Sequence, residues 1–267
     1  MRRPNTSVRA IAFDLDGTSI ERGNTMLPEL ITRLAEASNK GIIIGTASGR
    51  PLKDQLEIFS ANGIGEQKGF PHFIIANEYE IYILNEQKYE PLVKYNESIR
   101  KAWFEVLPVA KSIIESELRR LTEKGILVKR NIPDEDVYQR GMIDLWFHNI
   151  QDAIAEEAFL NSLILERSIP LICNRNSRLV QLLHARAGKG NTLKAVADYF
   201  KVSPSNVLAI GDSSNDLSML DGKLGFQPAT VANADEIVKH VVATHGGYVA
   251  SKPRGAGVVE IMDTLAV

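Results

Sequence analysis

The chain has 267 residues, 44% hydrophobic and 24% charged, the proportions of a folded globular protein with a core of its own. Lys plus Arg is 31 and Asp plus Glu is 33, a formal charge of −2. The cationic surplus that holds a nucleic-acid backbone or an anionic membrane is therefore missing, and neither partner is expected. A single cysteine, Cys173, excludes an intramolecular disulfide and a thiolate zinc cage. Residues 1–6 carry basic residues but no apolar h-region of signal length stands behind them, so no secretory signal is expected, and the expected location is cytoplasmic. No apolar run approaches the ~18 residues of a membrane span.

Val8 to Phe13 is an apolar run of strand length. Leu30, Ile31, Leu34 and Ala37 then recur at helical spacing between Leu27 and Lys40, with Pro28 in the first turn and Gly41 as the stop. Ile42-Ile43-Ile44 is continuous rather than alternating, as in a parallel strand covered on both faces. A helix over Pro51 to Asn62 and strands over His72 to Ala76 and Glu80 to Leu84 follow. The middle changes character. Asn96 to Glu123 is a long helical stretch that Pro108 should kink or split. Strands are expected at Ile126–Lys129, Met142–Phe147, Pro170–Cys173 and Leu179–His184, with a helix over Asp152 to Glu166 between the second and third. Trp103 and Trp146 read as core residues of this region. The last third returns to alternation: a helix over Asn191 to Lys201, a strand over Val207 to Ile210, a helix from Ser214 to Leu220. The pattern predicts an α/β fold, a doubly wound, mostly parallel Rossmann-like sheet over residues 1–85 and 185–267, with an α+β domain over 86–184 inserted in it.

The chemistry gathers at strand ends, where open α/β sheets bind ligands. Asp14-Leu15-Asp16-Gly17-Thr18 follows the first strand. Two carboxylates so close to a buried strand end repel each other, and a divalent cation such as magnesium is the natural compensation. A second acidic cluster, Gly211-Asp212-Ser213-Ser214-Asn215-Asp216, ends the late strand. If the two strands are neighbours, Asp14 and Asp212 converge on one ion. Asp216 alone reads equally well as an acid opening a helix. Thr46-Ala47-Ser48-Gly49-Arg50 closes the second strand, where a hydroxyl and helix N–H groups can take a phosphate oxygen. Lys189 stands at the return to the sheet and can neutralise both a nucleophile and a phosphoryl group. His72, His148, His184, His240 and His245 show no metal-ligand spacing. Arg175, Arg178 and Arg186 are ordinary loop charges or reach a substrate.

In order and context these four stretches resemble the motifs of the haloacid dehalogenase-like hydrolase superfamily, and more narrowly its Cof-type, sugar-phosphatase branch, whose large C2-type (IIB) cap is inserted just before the lysine motif. The resemblance spans essentially the whole chain. It implies that Asp14 is the nucleophile, forming an aspartyl-phosphate, and that Asp16 is the general acid and then base. It implies Asp14, the main-chain carbonyl of Asp16, and Asp212 as ligands of Mg2+, with Asp216 behind them and Lys189 catalytic. Ser48, Gly49, Arg50, Lys189 and Asn215 would bind substrate phosphate, Asn215 facing either the metal or a phosphate oxygen. Ser48 is preferred to Thr46 as the hydroxyl because Gly49-Arg50 follows it, although the branch more often carries Thr there. Ser19-Ile20 replaces an apolar pair, and Asn77-Glu78 stands where Asn-Gly is common, a change that bears on the entrance to the site. The implied activity is a phosphatase of small phosphorylated metabolites, sugar phosphates first among them, acting as a monomer or homodimer. The rivals are a phosphomutase of the same superfamily and a non-catalytic phosphosugar sensor.

Overall fold

The computed structural model describes residues 7–267; the basic start at residues 1–6 lies outside the described residues. The chain divides into two compact units, one running up to Leu92 and resuming over Lys189–Val267, the other Val93–Gly188.

In the first unit, β1 (Ala10–Phe13) is buried throughout. It is followed by α1 (Pro28–Asn39), β2 (Ile43–Ala47), α2 (Leu52–Ala61), β3 (Phe73–Ala76), β4 (Glu80–Asn85) and β5 (Lys88–Pro91). Helix α1 seats Leu30, Leu34 and Ala37 against the sheet, one face of a 3.6-residue repeat. Strand β5 lies beyond the expected boundary at residue 85 and pairs with β4 in the same sheet. Lys88-Tyr89-Glu90-Pro91 buries only Tyr89, the composition of an outermost strand that faces water, and such a strand carries little hydrophobic signal.

The second unit holds α3 (Val93–Glu123), β6 (Val128–Lys129), α4 (Val137–Arg140), β7 (Met142–Phe147), α5 (Ile150–Glu166), β8 (Leu171–Asn176) and β9 (Leu179–His184). Its four strands pair antiparallel in the order β6-β7-β9-β8. Helix α3 runs through Pro108 as one element, neither split nor ended there. Pro108 is exposed, where the carbonyl its ring leaves unbonded can be hydrated, while Trp103, Val106, Ala110, Ile113 and Ile114 anchor the helix on the other side. Trp103 is fully buried and donates its Nε1 hydrogen to the Val137 carbonyl. Trp146 is not a core residue as expected. It is half-buried, with Lys129 and Arg178 over its ring at 5.1 and 4.7 Å.

The first unit resumes with α6 (Lys189–Tyr199), β10 (Val207–Gly211), α7 (Leu217–Leu220), β11 (Gln227–Thr230), α8 (Glu236–Thr244), β12 (Tyr248–Val249) and α9 (Arg254–Thr264). The whole sheet reads β12-β11-β10-β1-β2-β3-β4-β5. Pairing is parallel from β12 to β3 and antiparallel for β4 and β5. The chain winds outward one way from β1 and the other way from β10, so the winding reverses between these two strands, where Phe13 lies opposite Ile210. Crevices at such a reversal are where doubly wound sheets bind ligands. Among the described residues no helix is long and apolar enough to cross a membrane.

Candidate active site

Asp14 is the first residue beyond β1. Its main-chain N–H donates to the Ile210 carbonyl at 2.9 Å, so the neighbouring strand fixes its position. Its side chain is buried, with Oδ1 accepting from Lys189 Nζ at 2.8 Å and Oδ2 left without a partner. Burial pushes the Asp14 carboxyl well above the ordinary range; Lys189 opposes that push, and Asp216, Asp212 and Asp16 add to it.

Lys189 is the first residue of α6 and fully buried. Its second acceptor is Asp216 Oδ1, at 2.6 Å. Burial alone would lower the ammonium pKa; the charges of Asp14, Asp216 and Glu78 reverse the sign and hold it raised, so the lysine is a fixed cation.

Asp212 follows β10. Its Oδ1 accepts from Thr18 Oγ1 at 2.6 Å and its Oδ2 from Ser213 Oγ at 3.2 Å. Burial and then the Asp216 charge push it up to about 7. Asp216 Oδ2 accepts from the main-chain N–H groups of Asp212 and Ser213 at 2.9 and 3.0 Å, part of a reciprocal cap with Ser213 that opens the turn before α7. Close approach demands two glycines. A Cβ on Gly17, whose φ is +82°, would fall 2.3 Å from Asp212 Oδ2, and one on Gly211 would fall 2.4 Å from the Asp216 side chain.

The strand ends thus bring Asp14, Asp212 and Asp216 together, with one carboxylate oxygen of each within 4.8 Å of the others. An all-carboxylate set suits a hard divalent cation. Asp14 Oδ2, buried and without a partner, is an atom that such an ion would satisfy; Asn215 Oδ1 is also buried without a partner. The residues present therefore fit a magnesium ion.

Asp16 is only half-buried, and its carboxylate is not part of this cluster. Arg50 holds it in a two-pronged pair, Nε to Oδ2 and Nη2 to Oδ1, both at 2.6 Å, with Nη2 also donating to Asn24 Oδ1 at 3.1 Å. Arg50, expected on phosphate, is thus engaged by the expected general acid. Ser48 is buried and its Oγ accepts from the Arg50 N–H at 3.1 Å. Thr46, the competing hydroxyl, donates to Gln55 Oε1 at 2.8 Å. Gly49 comes close to Glu78: a Cβ built on it would meet Glu78 Oε1 at 3.5 Å. Two contacts were not read from sequence. Thr18 lies inside the first motif, and its bond to Asp212 leaves no mark in the sequence. Glu78 is fully buried and accepts from Asn215 Nδ2 at 2.9 Å. In the second unit, Arg175 is buried and pairs with Glu157 at 3.0 Å, Arg178 donates to the His148 carbonyl, and Arg186 to Ser98 Oγ.

A family model described as haloacid dehalogenase-like hydrolase matches residues 11–262. The chain belongs to that family. Among similar proteins, this chain is 29% identical over 154 residues to a phosphoglycolate phosphatase of Methanospirillum hungatei, covering 55% of this chain and 64% of that one. The chain thus spans somewhat under two thirds of that relative. It is 24% identical over 241 residues to a 5-amino-6-(5-phospho-D-ribitylamino)uracil phosphatase of Bacillus subtilis, covering 90% of each. A Synechocystis sucrose-phosphatase, solved with sucrose and phosphate, superposes with a TM-score of 0.72 at 18% identity over 97% of this chain and 98% of that one, a likeness of fold.

Proposed function

We propose that this hydrolase is a magnesium-dependent phosphatase that cleaves phosphomonoesters of small metabolites, sugar phosphates among them. The observation that carries the reading is the state of Asp14: a buried carboxylate with one oxygen clamped by an immobile lysine and the other without a partner. A purely structural aspartate satisfies both oxygens, whereas a nucleophile or metal ligand keeps one in reserve. The relatives named as phosphatases of small phosphorylated compounds support the same reading.

Asp14 and Asp212 would hold the ion, with the Asp16 main-chain carbonyl; Asp216 is already committed through both oxygens to Lys189 and to two N–H groups. When bound, the ion supplies positive charge for the phosphoryl oxygens and the acidic cluster. Asp14 attacks phosphorus; the P–O bond to the leaving alcohol breaks, and the alkoxide takes its proton from the Asp16 carboxyl. Asp16, now a carboxylate, takes a proton from water, whose oxygen attacks the same phosphorus, and the bond to Asp14 breaks to release inorganic phosphate. Asp16 must leave the Arg50 pair to carry that proton. Lys189 stays charged throughout and offsets the anionic transition state. Ser48 and the N–H groups opening α2 would hold a phosphate oxygen. Residues 93–188 are assigned the role of specificity unit.

The test is hydrolysis of p-nitrophenyl phosphate and a panel of sugar phosphates, followed as inorganic phosphate release, which also separates a phosphatase from a mutase. Asp14→Asn, which keeps shape and the lysine contact, should lower kcat by at least about a thousandfold. EDTA should silence the wild type and Mg2+ restore it. Turnover by Asp14→Asn within tenfold of wild type, or activity indifferent to EDTA, would overturn the reading.

A further inference from the structure

Beyond the residues assigned above, the turn between β3 and β4 carries a buried acid that the proposed chemistry does not use. Ala76 accepts from the Tyr79 N–H at 3.1 Å, and Asn77 and Glu78 between them have φ of +49° and +64°. Two consecutive left-handed residues make the tight hairpin turn whose second position selects glycine, because any Cβ there crowds the following carbonyl. Asparagine tolerates the left-handed region better than glutamate does. A side chain kept at a position that disfavours it is retained for something its atoms do.

Those atoms meet the catalytic loops. The Glu78 N–H donates to the Ser48 carbonyl at 3.0 Å, and its own carbonyl accepts from Thr192 Oγ1 at 2.9 Å, tying it to the loop after β2 and to the helix that begins with Lys189. Its carboxylate accepts from Asn215 Nδ2. A carboxylate offers only acceptors, so it meets the nitrogen of an amide and never its oxygen. The Asn215 amide is thereby oriented by chemistry, and Asn215 Oδ1 is the buried atom left without a partner.

We infer that Glu78 is a positioning residue: by holding the Asn215 nitrogen it makes the Asn215 oxygen the atom offered to the bound cation. This rests on the reading of the acidic cluster as a magnesium site. Partners behind a metal ligand are worth about ten- to a hundredfold in affinity when removed.

The test is calorimetric titration of Mg2+ into metal-free wild type, Glu78→Gly, Glu78→Gln, Asn215→Ala and the Glu78→Gly/Asn215→Ala double variant, beside thermal melts. Glycine relieves the backbone, so Glu78→Gly should melt no lower than wild type and yet bind Mg2+ about tenfold more weakly. Glu78→Gln keeps an acceptor oxygen and should stay within threefold of wild type. The double variant should bind no more weakly than Asn215→Ala alone, because both remove one device. Wild-type affinity in Glu78→Gly, a Glu78→Gln loss as large as that of Glu78→Gly, or additive losses in the double variant would each overturn this inference and leave the magnesium site standing. A wild type that takes up no Mg2+ would overturn the magnesium site itself, and the inference with it.

Discussion

Lys189 shows how one residue ties the site's stability to its chemistry. It is buried between two buried carboxylates, Asp14 at 2.8 Å and Asp216 at 2.6 Å, and each of the three would be costly alone. Lys189→Met keeps the length and apolar stem but leaves two uncompensated acids. The expected outcome is a loss of stability of roughly 3–5 kcal/mol in metal-free protein, measured by urea unfolding followed by circular dichroism, with part of it recovered in excess Mg2+. An unchanged urea midpoint would mean that this lysine does not offset the two acids. At this scale the site was partly legible in the sequence. Asp14 and Asp212 stood out because a buried strand end does not tolerate a charge without a reason, and Lys189 because it stands where the chain returns to the sheet. Thr18 did not, since a hydroxyl in a turn is ordinary; its bond to Asp212 spans 194 residues. The Arg50–Asp16 pair was hidden for the same cause. The sequence shows both charges, while the choice of Arg50 between phosphate and carboxylate is settled only by where the loop after β1 passes the loop after β2.

Elements with a periodic apolar face or a continuous apolar run were readable from sequence almost to their ends, because burial imposes the pattern: α1, α2 and β7 fall within a residue or two of expectation. Strand β5 and the unbroken α3 were not, because an exposed edge and an exposed Pro108 are decided by solvent rather than by pattern. A contact between elements also escaped: Arg120 on α3 bonds both Glu117, one turn before it, and Glu156 on α5. Glu156 is buried, with Oε1 lacking a partner. Burial pushes its carboxyl up to about 7; Arg120 pulls the other way and Glu117 adds to the rise. A folded-state pKa raised above the unfolded value of an acid means that the folded state binds the proton more tightly. Its stabilisation is complete below about pH 4.5 and is lost as pH rises toward 7. Both tryptophans of the chain, Trp103 and Trp146, lie in this unit, so their fluorescence reports its unfolding. The fluorescence-detected urea midpoint should fall between pH 5 and 8, and Glu156→Gln should flatten that slope. An equal slope in the variant would place the titration elsewhere. Because the three groups interact, the step belongs to the cluster.

For the whole molecule, the sheet's reversal between β1 and β10 gathers acids from stretches of chain nearly 200 residues apart, and the interruption over Val93–Gly188 lies outside that sheet. Folding therefore brings Asp14, Asp212 and Asp216 together against their mutual repulsion, a cost absent from the unfolded chain. A ligand that binds only the folded form stabilises it by RT ln(1 + [L]/Kd), about 2.7 kcal/mol at a hundred times Kd. Mg2+ should thus stabilise the protein without any substrate, and it should do so locally. Hydrogen exchange offers the measurement: saturating Mg2+ should slow amide exchange over the turn after β1 and over residues 211–217, and leave the amides of α5 and β7 to β9 much less affected. Asp212→Asn removes one acid, which relieves the repulsion, and also one ligand. It should raise the stability of the metal-free protein and abolish the response to Mg2+, a pair of opposite effects that a merely structural aspartate would not produce. Protection spread evenly over both units, or a full Mg2+ response in Asp212→Asn, would mean that the cation acts on the folded chain at large rather than at this junction of two strands.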